Sequence, residues 1–477
     1  MPASQSSSKC SVNGMEATLH KPAAIDGKEP GTLHLCVLVH GLWGNGSHLN
    51  YLTTSLRERY SEDKLVILVC KRNASSFTYD GIEVGAERVT REIEDTIEEL
   101  KRDGMKIDRF SIVGYSLGGL IARYVCGLLD SKHYFDNIQP VNFTTFATPH
   151  LGVRTPLTGY QNQLWNILGA RTLSASGRQL FLVDNFRNTG RPILSVLADP
   201  ESIFIHALAK FKNRILYTNI INDRTAVYYT TSISKNDPYK SLDKLKLNYV
   251  PGYEPNILDP NMPFERVSAP TELPTFTERV SSTSYTVLRR MPLAIGLSIF
   301  IPIAVVVFLI NSGVQTFRSQ KRILLHEQDE DTGYQRYRTI SWMVQDVRAG
   351  IEDAFEATNA AQQDQYLPVG SEELADAEPG SPKSVDDTAT EDPKLEKPAP
   401  PSLRRKSTGA ADFPTLALAP AQFAMIRALD DVGFTKYGVH IHKSNHSHAA
   451  LIVRSNRKAF DEGRVVVKHW LLETFEI

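Results

Sequence analysis

Two apolar patterns alternate along the first 265 residues of the chain. Unbroken apolar runs such as Leu33–Val39 and Phe110–Val113 are typical of strands that are buried on both faces of a parallel sheet. The stretch Leu117–Leu129 instead carries its apolar side chains three and four positions apart, as a helix does when one face packs on a sheet. The alternation predicts an α/β fold with a mostly parallel sheet and helices on both of its faces.

A longer apolar run interrupts this alternation at residues 291–313. It contains no charged residue and is dominated by Ile, Leu, Val, Phe and Ala. Its length is sufficient to span the hydrocarbon core of a bilayer, which is about 30 Å thick. Basic residues flank both ends, so the flanking charge gives no orientation. We expect a membrane-associated segment, and a buried core helix is the alternative.

The charge of the chain is balanced, with 53 basic and 54 acidic residues. This balance argues against nucleic acid as a partner. The first thirty residues lack the apolar core of a secretory signal. Cys36, Cys70 and Cys126 fall in predicted core elements, as buried thiols do in a reducing compartment. We therefore expect a protein that is not secreted.

The sequence GYSLG, residues 114–118, lies at the junction of the strand Phe110–Val113 and the helix that begins at Leu117. A serine on such a tight strand-to-helix turn is a nucleophile elbow, which presents the hydroxyl at the edge of the sheet. Its neighbours are glycines because Cβ atoms there would collide with nearby backbone. Ser116 is therefore the predicted nucleophile of a serine hydrolase, and a glycine–serine turn without chemistry is the alternative.

The sequence HGLWG, residues 40–44, follows the first predicted core strand. In hydrolases with an elbow, one oxyanion donor is the amide after the nucleophile and the other comes from a loop after an early strand. This places the predicted oxyanion hole at the amides of Leu42 and Leu117. We expect His40 to orient the loop by hydrogen bonding rather than to act as the base.

The triad acid follows the serine in this architecture, and the histidine comes last. The apolar strand Arg214–Ile221 runs into Asn222 and Asp223, so Asp223 is the predicted acid. Asp199, in a routine Asp-Pro turn, is the reserve.

Four histidines lie between residues 440 and 448. Two of them belong to a predicted strand, Tyr437–His442, which leaves His446 and His448 for the loop where a triad base belongs. His448 is preferred because it directly precedes Ala449–Val453, the predicted start of the closing helix. A zinc site is the alternative use of these histidines, but no carboxylate or cysteine accompanies them before Asp461. We expect no metal and no other cofactor.

Taken in order, these blocks and the sequence TPHLG at 148–152 resemble the putative serine esterase family of lipase-like α/β-hydrolases. The similarity is closest to its fungal lipid-droplet phospholipase branch and covers residues 31–265 and 415–477. The resemblance implies an α/β-hydrolase that cleaves esters of glycerophospholipids or related lipids, with Ser116 as the nucleophile.

The predicted organisation is a hydrolase divided into two segments, one with the serine and acid and the other with the base. A single membrane crossing at 291–313 would separate Asp223 from His448, so we expect that run to dip in and return or to lie in one leaflet. The ranges are a flexible N-terminus at 1–30, the first hydrolase segment at 31–265 with a cap at 151–210, a membrane-associated insert at 266–365, a disordered linker at 366–412, and the second hydrolase segment at 413–477.

The expected function is hydrolysis of lipid acyl esters, most specifically glycerophospholipids, at a lipid droplet or the cytosolic face of an intracellular membrane. A neutral-lipid lipase or an acyltransferase with the same triad is the first alternative, because the triad defines a reaction type and not a substrate. A catalytically inactive, membrane-anchored scaffold is the second. The sequence indicates no protein partner.

Overall fold

The computed structural model describes residues 18–21, 32–154, 174–267, 313–325, 366 and 413–477. The predicted flexible N-terminus, the apolar segment 291–313 and the linker 366–412 lie almost wholly outside these residues, so those assignments stay predictions. Among the helices that the structure describes, none is both long and apolar enough to cross a membrane.

The main sheet has seven strands within the described residues, in the order β1-β3-β2-β4-β5-β6-β9. Only the edge pair β1–β3 is antiparallel. This sheet confirms the predicted α/β-hydrolase fold with a mostly parallel sheet. The strands are β1 Thr18–His20, β2 Thr32–Val39, β3 Leu65–Val69, β4 Lys106–Tyr115, β5 Gln139–Phe146, β6 Asn213–Asn219 and β9 Thr435–Val439, while β7 Leu245–Leu247 and β8 Phe264–Arg266 form a separate antiparallel pair.

Helices cover both faces of the main sheet. Successive residues of β2 show this, because Leu35 and Val37 belong to one apolar core whereas Cys36 and Leu38 belong to the other. The α-helices include α1 Asn50–Arg59, α2 Ile82–Arg102 and α3 Leu117–Ser131, followed by Ser174–Leu180, Ile193–Leu197, Ile203–Ala209, Tyr228–Thr231, 313–325, Pro420–Val432, Ser447–Ala450 and Asp461–His469. Shorter 3₁₀ segments are Gly46–Leu49, Ser75–Tyr79, Tyr134–Asp136, Phe186–Asn188, Pro238–Lys244 and Lys458–Phe460, and a π-helical turn is at Trp470–Thr474.

The C-terminal residues complete the main sheet. Strand β9 lies parallel to β6, with Tyr437 opposite Tyr217. The predicted strand Tyr437–His442 is shifted, because the ladder ends at Val439 and His440 instead donates its backbone amide to the Asn256 carbonyl. The predicted start of the closing helix at Ala449–Val453 is also wrong. These residues are apolar because they are buried in the second core, and Val453, with φ 52°, turns the chain before the helix Asp461–His469.

The segment 151–210, predicted as a cap, is only partly described. Its helix Ile203–Ala209 packs on α3, with the rings of Phe204 and Tyr124 4.6 Å apart. Val153 and Leu180 instead line the pocket at Ser116. The segment therefore contributes to the core and to the wall of the site.

Candidate active site

Ser116 occupies a strained turn between β4 and α3. Its backbone has φ 55° and ψ −127°, which is costly for a residue other than glycine. Its amide donates to the Phe146 carbonyl at 2.9 Å, which fixes the turn to the neighbouring strand. A Cβ on Gly118 would lie 2.2 Å from the Val39 carbonyl oxygen, and one on Gly114 would lie 2.3 Å from the Gly119 Cα. These contacts confirm why small residues flank the serine.

The loop after β2 packs directly against the serine. A Cβ on Gly41 would lie 2.7 Å from the Ser116 Cβ. Trp43 has φ 56°. Two hydrogen bonds to the segment Ser75–Tyr79 fix its position, because its amide donates to Thr78 Oγ1 at 3.0 Å and its indole Nε1 donates to the Tyr79 hydroxyl at 2.7 Å. The amides of Leu42 and Leu117 donate to no other group of the described residues. Both are therefore available to an oxyanion.

Asp223 lies just past the end of β6 and contacts His448. The distance from His448 Nδ1 to Asp223 Oδ2 is 2.9 Å, and both side chains are buried. The same oxygen accepts Nδ2 of Asn219 at 2.8 Å, while Oδ1 accepts the amides of Thr225 at 3.1 Å and Ala226 at 2.8 Å. Because the carboxylate accepts, Nδ1 of His448 carries the hydrogen, and Nε2 is left to take up a proton.

The position of His448 is fixed by its neighbours. The Ser447 hydroxyl donates to the Ile221 carbonyl at 2.9 Å, which ties the histidine segment to the loop that carries the acid. The Tyr115 hydroxyl donates to the His448 carbonyl at 3.2 Å, and its ring lies 5.1 Å from the imidazole. The residue before the serine therefore supports the histidine.

The reserve residues lie elsewhere. Asp199 forms an ion pair with Arg191, whose hydrogen bond lowers the pKa of that carboxyl. His446 is exposed at the start of the short helix Ser447–Ala450. Nδ1 of His40 donates to the Gly41 carbonyl at 3.1 Å, as a loop-orienting residue would.

The remaining candidates for the zinc alternative, His440 and His442, contact each other and Glu462. The rings of His440 and His442 are tilted by 33° with centroids 3.7 Å apart, and Nδ1 of His442 lies 3.1 Å from Glu462 Oε1. The structure thus brings one of the four histidines, His448, to Asp223.

A pocket connects these groups. The pocket is lined by Ser116, His448, Leu42 and Leu117. Most of its other lining residues are apolar or aromatic, namely Trp43, Tyr115, Pro149, Val153, Leu180 and Ala226. The polar Thr225 and the cationic Arg454 complete the lining. The arrangement can bind an ester, supply a proton acceptor and donate hydrogen bonds to an oxyanion.

Two residues of the site were not anticipated from the sequence. Asn219 is a polar residue at the end of an apolar strand, and this pattern could have indicated a functional contact. Arg454 gave no comparable signal, because its approach to the pocket depends on the turn at Val453.

Residues 29–236 match the model of a family described as Putative serine esterase. This region of the chain is therefore similar to the putative serine esterase family. The match includes Ser116, Asp223 and the loop with Leu42, and it confirms the predicted family.

Yeast proteins with similar sequences are named as putative lipases. Putative lipase ROG1 of Saccharomyces cerevisiae is 32% identical over 224 residues, which are 45% of this chain and 31% of that protein. A putative lipase of Schizosaccharomyces pombe is 29% identical over 226 residues, 44% of this chain and 28% of that protein. The chain thus spans about a third of the length of these relatives.

Solved structures of α/β-hydrolases are also similar to this chain. They include the peroxisomal alpha-beta-hydrolase Lpx1 from Saccharomyces cerevisiae, at 13% identity over 46% of this chain and 70% of that chain, with a TM-score of 0.25. An alpha/beta hydrolase fold protein from Nakamurella multipartita is 11% identical over 46% of this chain and 82% of that chain, with a TM-score of 0.24.

Proposed function

We propose that the protein is a serine esterase that hydrolyses acyl esters of lipids through Ser116, His448 and Asp223. The observation that carries the proposal is the buried hydrogen bond between His448 Nδ1 and Asp223 Oδ2, 2.9 Å long, beside a pocket that Ser116 also lines. Asp223 orients the imidazole and holds it in the tautomer that leaves Nε2 free to accept a proton.

The reaction proceeds in two halves. Ser116 Oγ attacks the ester carbonyl while its proton passes to Nε2 of His448, and the amides of Leu42 and Leu117 stabilise the oxyanion. The C–O bond to the alcohol breaks, and the alcohol takes the proton from His448. Water then attacks the acyl-enzyme, gives its proton to His448, and releases the fatty acid as Ser116 regains its hydrogen.

Two features support a lipid as the substrate. The pocket wall is largely apolar, which suits an acyl chain, and the relatives are named as putative lipases. Arg454 at the same pocket favours glycerophospholipids among the lipids, because a guanidinium matches the geometry and charge of a phosphodiester. The apolar run 291–313 supports a membrane or lipid-droplet surface as the workplace.

The test is release of fatty acid by the purified full-length chain from phosphatidylcholine vesicles and, in parallel, from a triacylglycerol emulsion. Ser116→Ala is the control, with its thermal unfolding measured to show that it folds. A fluorophosphonate probe reports the reactive serine independently of substrate.

The proposal predicts probe labelling and vesicle hydrolysis that both require Ser116. Labelling with release from triacylglycerol alone would favour a neutral-lipid lipase. Transfer of the acyl group to an added alcohol in preference to water would favour an acyltransferase. Absence of labelling in the folded protein would favour the scaffold.

A further inference from the structure

The helix 313–325 is inverted in polarity relative to an ordinary surface helix. Its buried residues are polar, namely Gln315, Ser319 and Arg322, spaced four and three positions apart on one face. Its exposed residues include Phe317 at 70% exposure and Leu324 at 56%. A surface helix of a soluble domain normally buries its apolar stripe and exposes its polar one. The exposed apolar side chains therefore require an explanation.

A buried ion-pair cluster holds this helix on the hydrolase. The Arg322 guanidinium donates to Asp80 from Nε at 2.9 Å and from Nη2 at 2.6 Å, and Arg88 Nη2 lies 2.9 Å from the same carboxylate. Arg322 Nη2 also donates to the Ser76 carbonyl at 2.9 Å. Both guanidinium groups lie over the Phe77 ring, Arg88 at 4.9 Å and Arg322 at 5.3 Å. Because these charges are paired and buried, the helix has a defined orientation.

The helix packs on the same short segment that supports the oxyanion loop. Ser319 Oγ donates to the Tyr79 carbonyl at 3.4 Å, and Arg322 contacts Asp80 next to it. The Tyr79 hydroxyl accepts the indole N–H of Trp43, a residue of the pocket wall. The outward face of the helix therefore has a fixed position relative to the site.

We infer that this outward face binds a phospholipid surface and orients the hydrolase on it. Val314, Phe317, Lys321 and Leu324 lie three and four positions apart on this face and are all exposed. The face begins where the uncharged run 291–313 ends, so it adjoins the segment proposed to enter lipid. Lys321 among the apolar side chains complements anionic headgroups. The inference rests on the proposed lipid hydrolysis for its purpose, but binding can be measured without turnover.

The first experiment compares two substitutions that each add one negative charge to the helix. Phe317→Glu removes an exposed phenyl ring, whereas Gln320→Glu, the matched control, changes an exposed polar residue. Both are made in the full-length Ser116→Ala chain, and sedimentation with vesicles of phosphatidylcholine and phosphatidylserine measures partitioning. We expect Phe317→Glu to lower the partition coefficient about tenfold and Gln320→Glu to change it by less than about twofold. Equal partitioning of the two variants, together with equal quenching in the second measurement below, would overturn the inference.

The serine-containing forms of both variants are assayed on a water-soluble short-chain ester. Unchanged rates there show that the site remains assembled, so a loss of vesicle binding is assigned to the surface. If the parent binds vesicles but hydrolyses no lipid, the surface assignment stands and the proposed substrate fails.

A second measurement detects contact directly, in case the apolar run alone retains the protein on vesicles. A polarity-sensitive fluorophore is attached at Phe317→Cys and, for comparison, at Thr54→Cys, which is exposed on α1, with Cys10 replaced by serine in both. Nitroxide-bearing lipid should quench the label at 317 and not the label at 54. Equal quenching at the two positions would overturn the inference, as would a vesicle-independent dimer that Phe317→Glu dissociates.

Discussion

His448 Nδ1 and Asp223 Oδ2 are 2.9 Å apart, although the two residues are separated by 225 positions in the sequence. They are brought together because β9, which precedes His448, lies parallel to β6, which precedes Asp223. Both residues therefore follow the carboxyl ends of adjacent strands. A segment between them that crossed a membrane once would be incompatible with this pair.

Asp223→Asn is expected to lower kcat on a soluble ester on the order of 10⁴-fold, because an amide can present its N–H to Nδ1 and favour the wrong imidazole tautomer. Steady-state kinetics measure the effect. Asp199→Asn serves as the control, since Asp199 is paired with Arg191 away from the pocket, and it should retain the parental rate. A comparable loss in both variants would contradict the assignment of the acid.

His448→Ala is expected to lower kcat on the order of 10⁴-fold or more, whereas His446→Ala should leave it within about twofold of the parent. The reason is that His448 contacts Asp223 and His446 is exposed. The same kinetic assay, with circular dichroism to verify folding, decides between them. Retained activity in His448→Ala would transfer the base role to His446.

Arg454→Gln is expected to lower kcat/KM for a phospholipid about tenfold, the equivalent of one charge-assisted hydrogen bond, with little change for an uncharged short-chain ester. Assays on mixed micelles and on the soluble ester give the two values. The control is Arg457→Gln, an exposed arginine outside the pocket lining. An equal loss on both substrates would assign Arg454 a purely structural role.

Asp80→Asn is expected to lower the free energy of unfolding by about 3–5 kcal/mol, because it removes the carboxylate charge that the buried Arg88 and Arg322 guanidinium groups share. Urea denaturation followed by circular dichroism measures the change. The exposed Asp136→Asn should shift the free energy by less than about 0.5 kcal/mol. Indistinguishable midpoints for the two variants would contradict the buried cluster.

Glu92 is expected to make stability depend on pH. Burial raises its pKa from 4.5 to about 7, although the amides of Lys71 and Arg72 donate to it and favour the charged form. Between pH 4.5 and about pH 7, the Glu92 carboxyl keeps a proton in the folded state that it has lost in the unfolded state. Its contribution to stability is therefore complete below pH 4.5 and falls as pH rises to about 7, by about 1.4 kcal/mol per pH unit.

Glu92→Gln should abolish this component of the pH dependence, because the amide does not titrate and can still accept a backbone hydrogen bond. Urea midpoints at pH 5 and pH 7 for both proteins provide the comparison. Parallel pH profiles for the two would show that Glu92 is ionised in the folded protein at both values.

The sequence alone determined the elements whose information is local. The serine between Phe110–Val113 and Leu117–Leu129, the glycine loop after β2 and the aspartate after β6 are each recognisable, because strand, turn and helix periodicities are set by neighbouring residues. The apolar runs likewise predicted the parallel sheet. A strand that is buried on both faces is apolar at successive positions and does not alternate apolar with polar residues.

The tertiary structure decided contacts between distant regions of the chain. Sequence reasoning could prefer His448 over His446 but could not measure which one reaches Asp223, because that depends on the pairing of β9 with β6. The same holds for Arg454, which follows a turn at Val453, and for Arg322, whose partner Asp80 lies 242 positions earlier. The periodicity of neighbouring residues does not predict such partners. These contacts form only when the chain packs, because a buried charged group then requires a partner of opposite charge or a hydrogen bond.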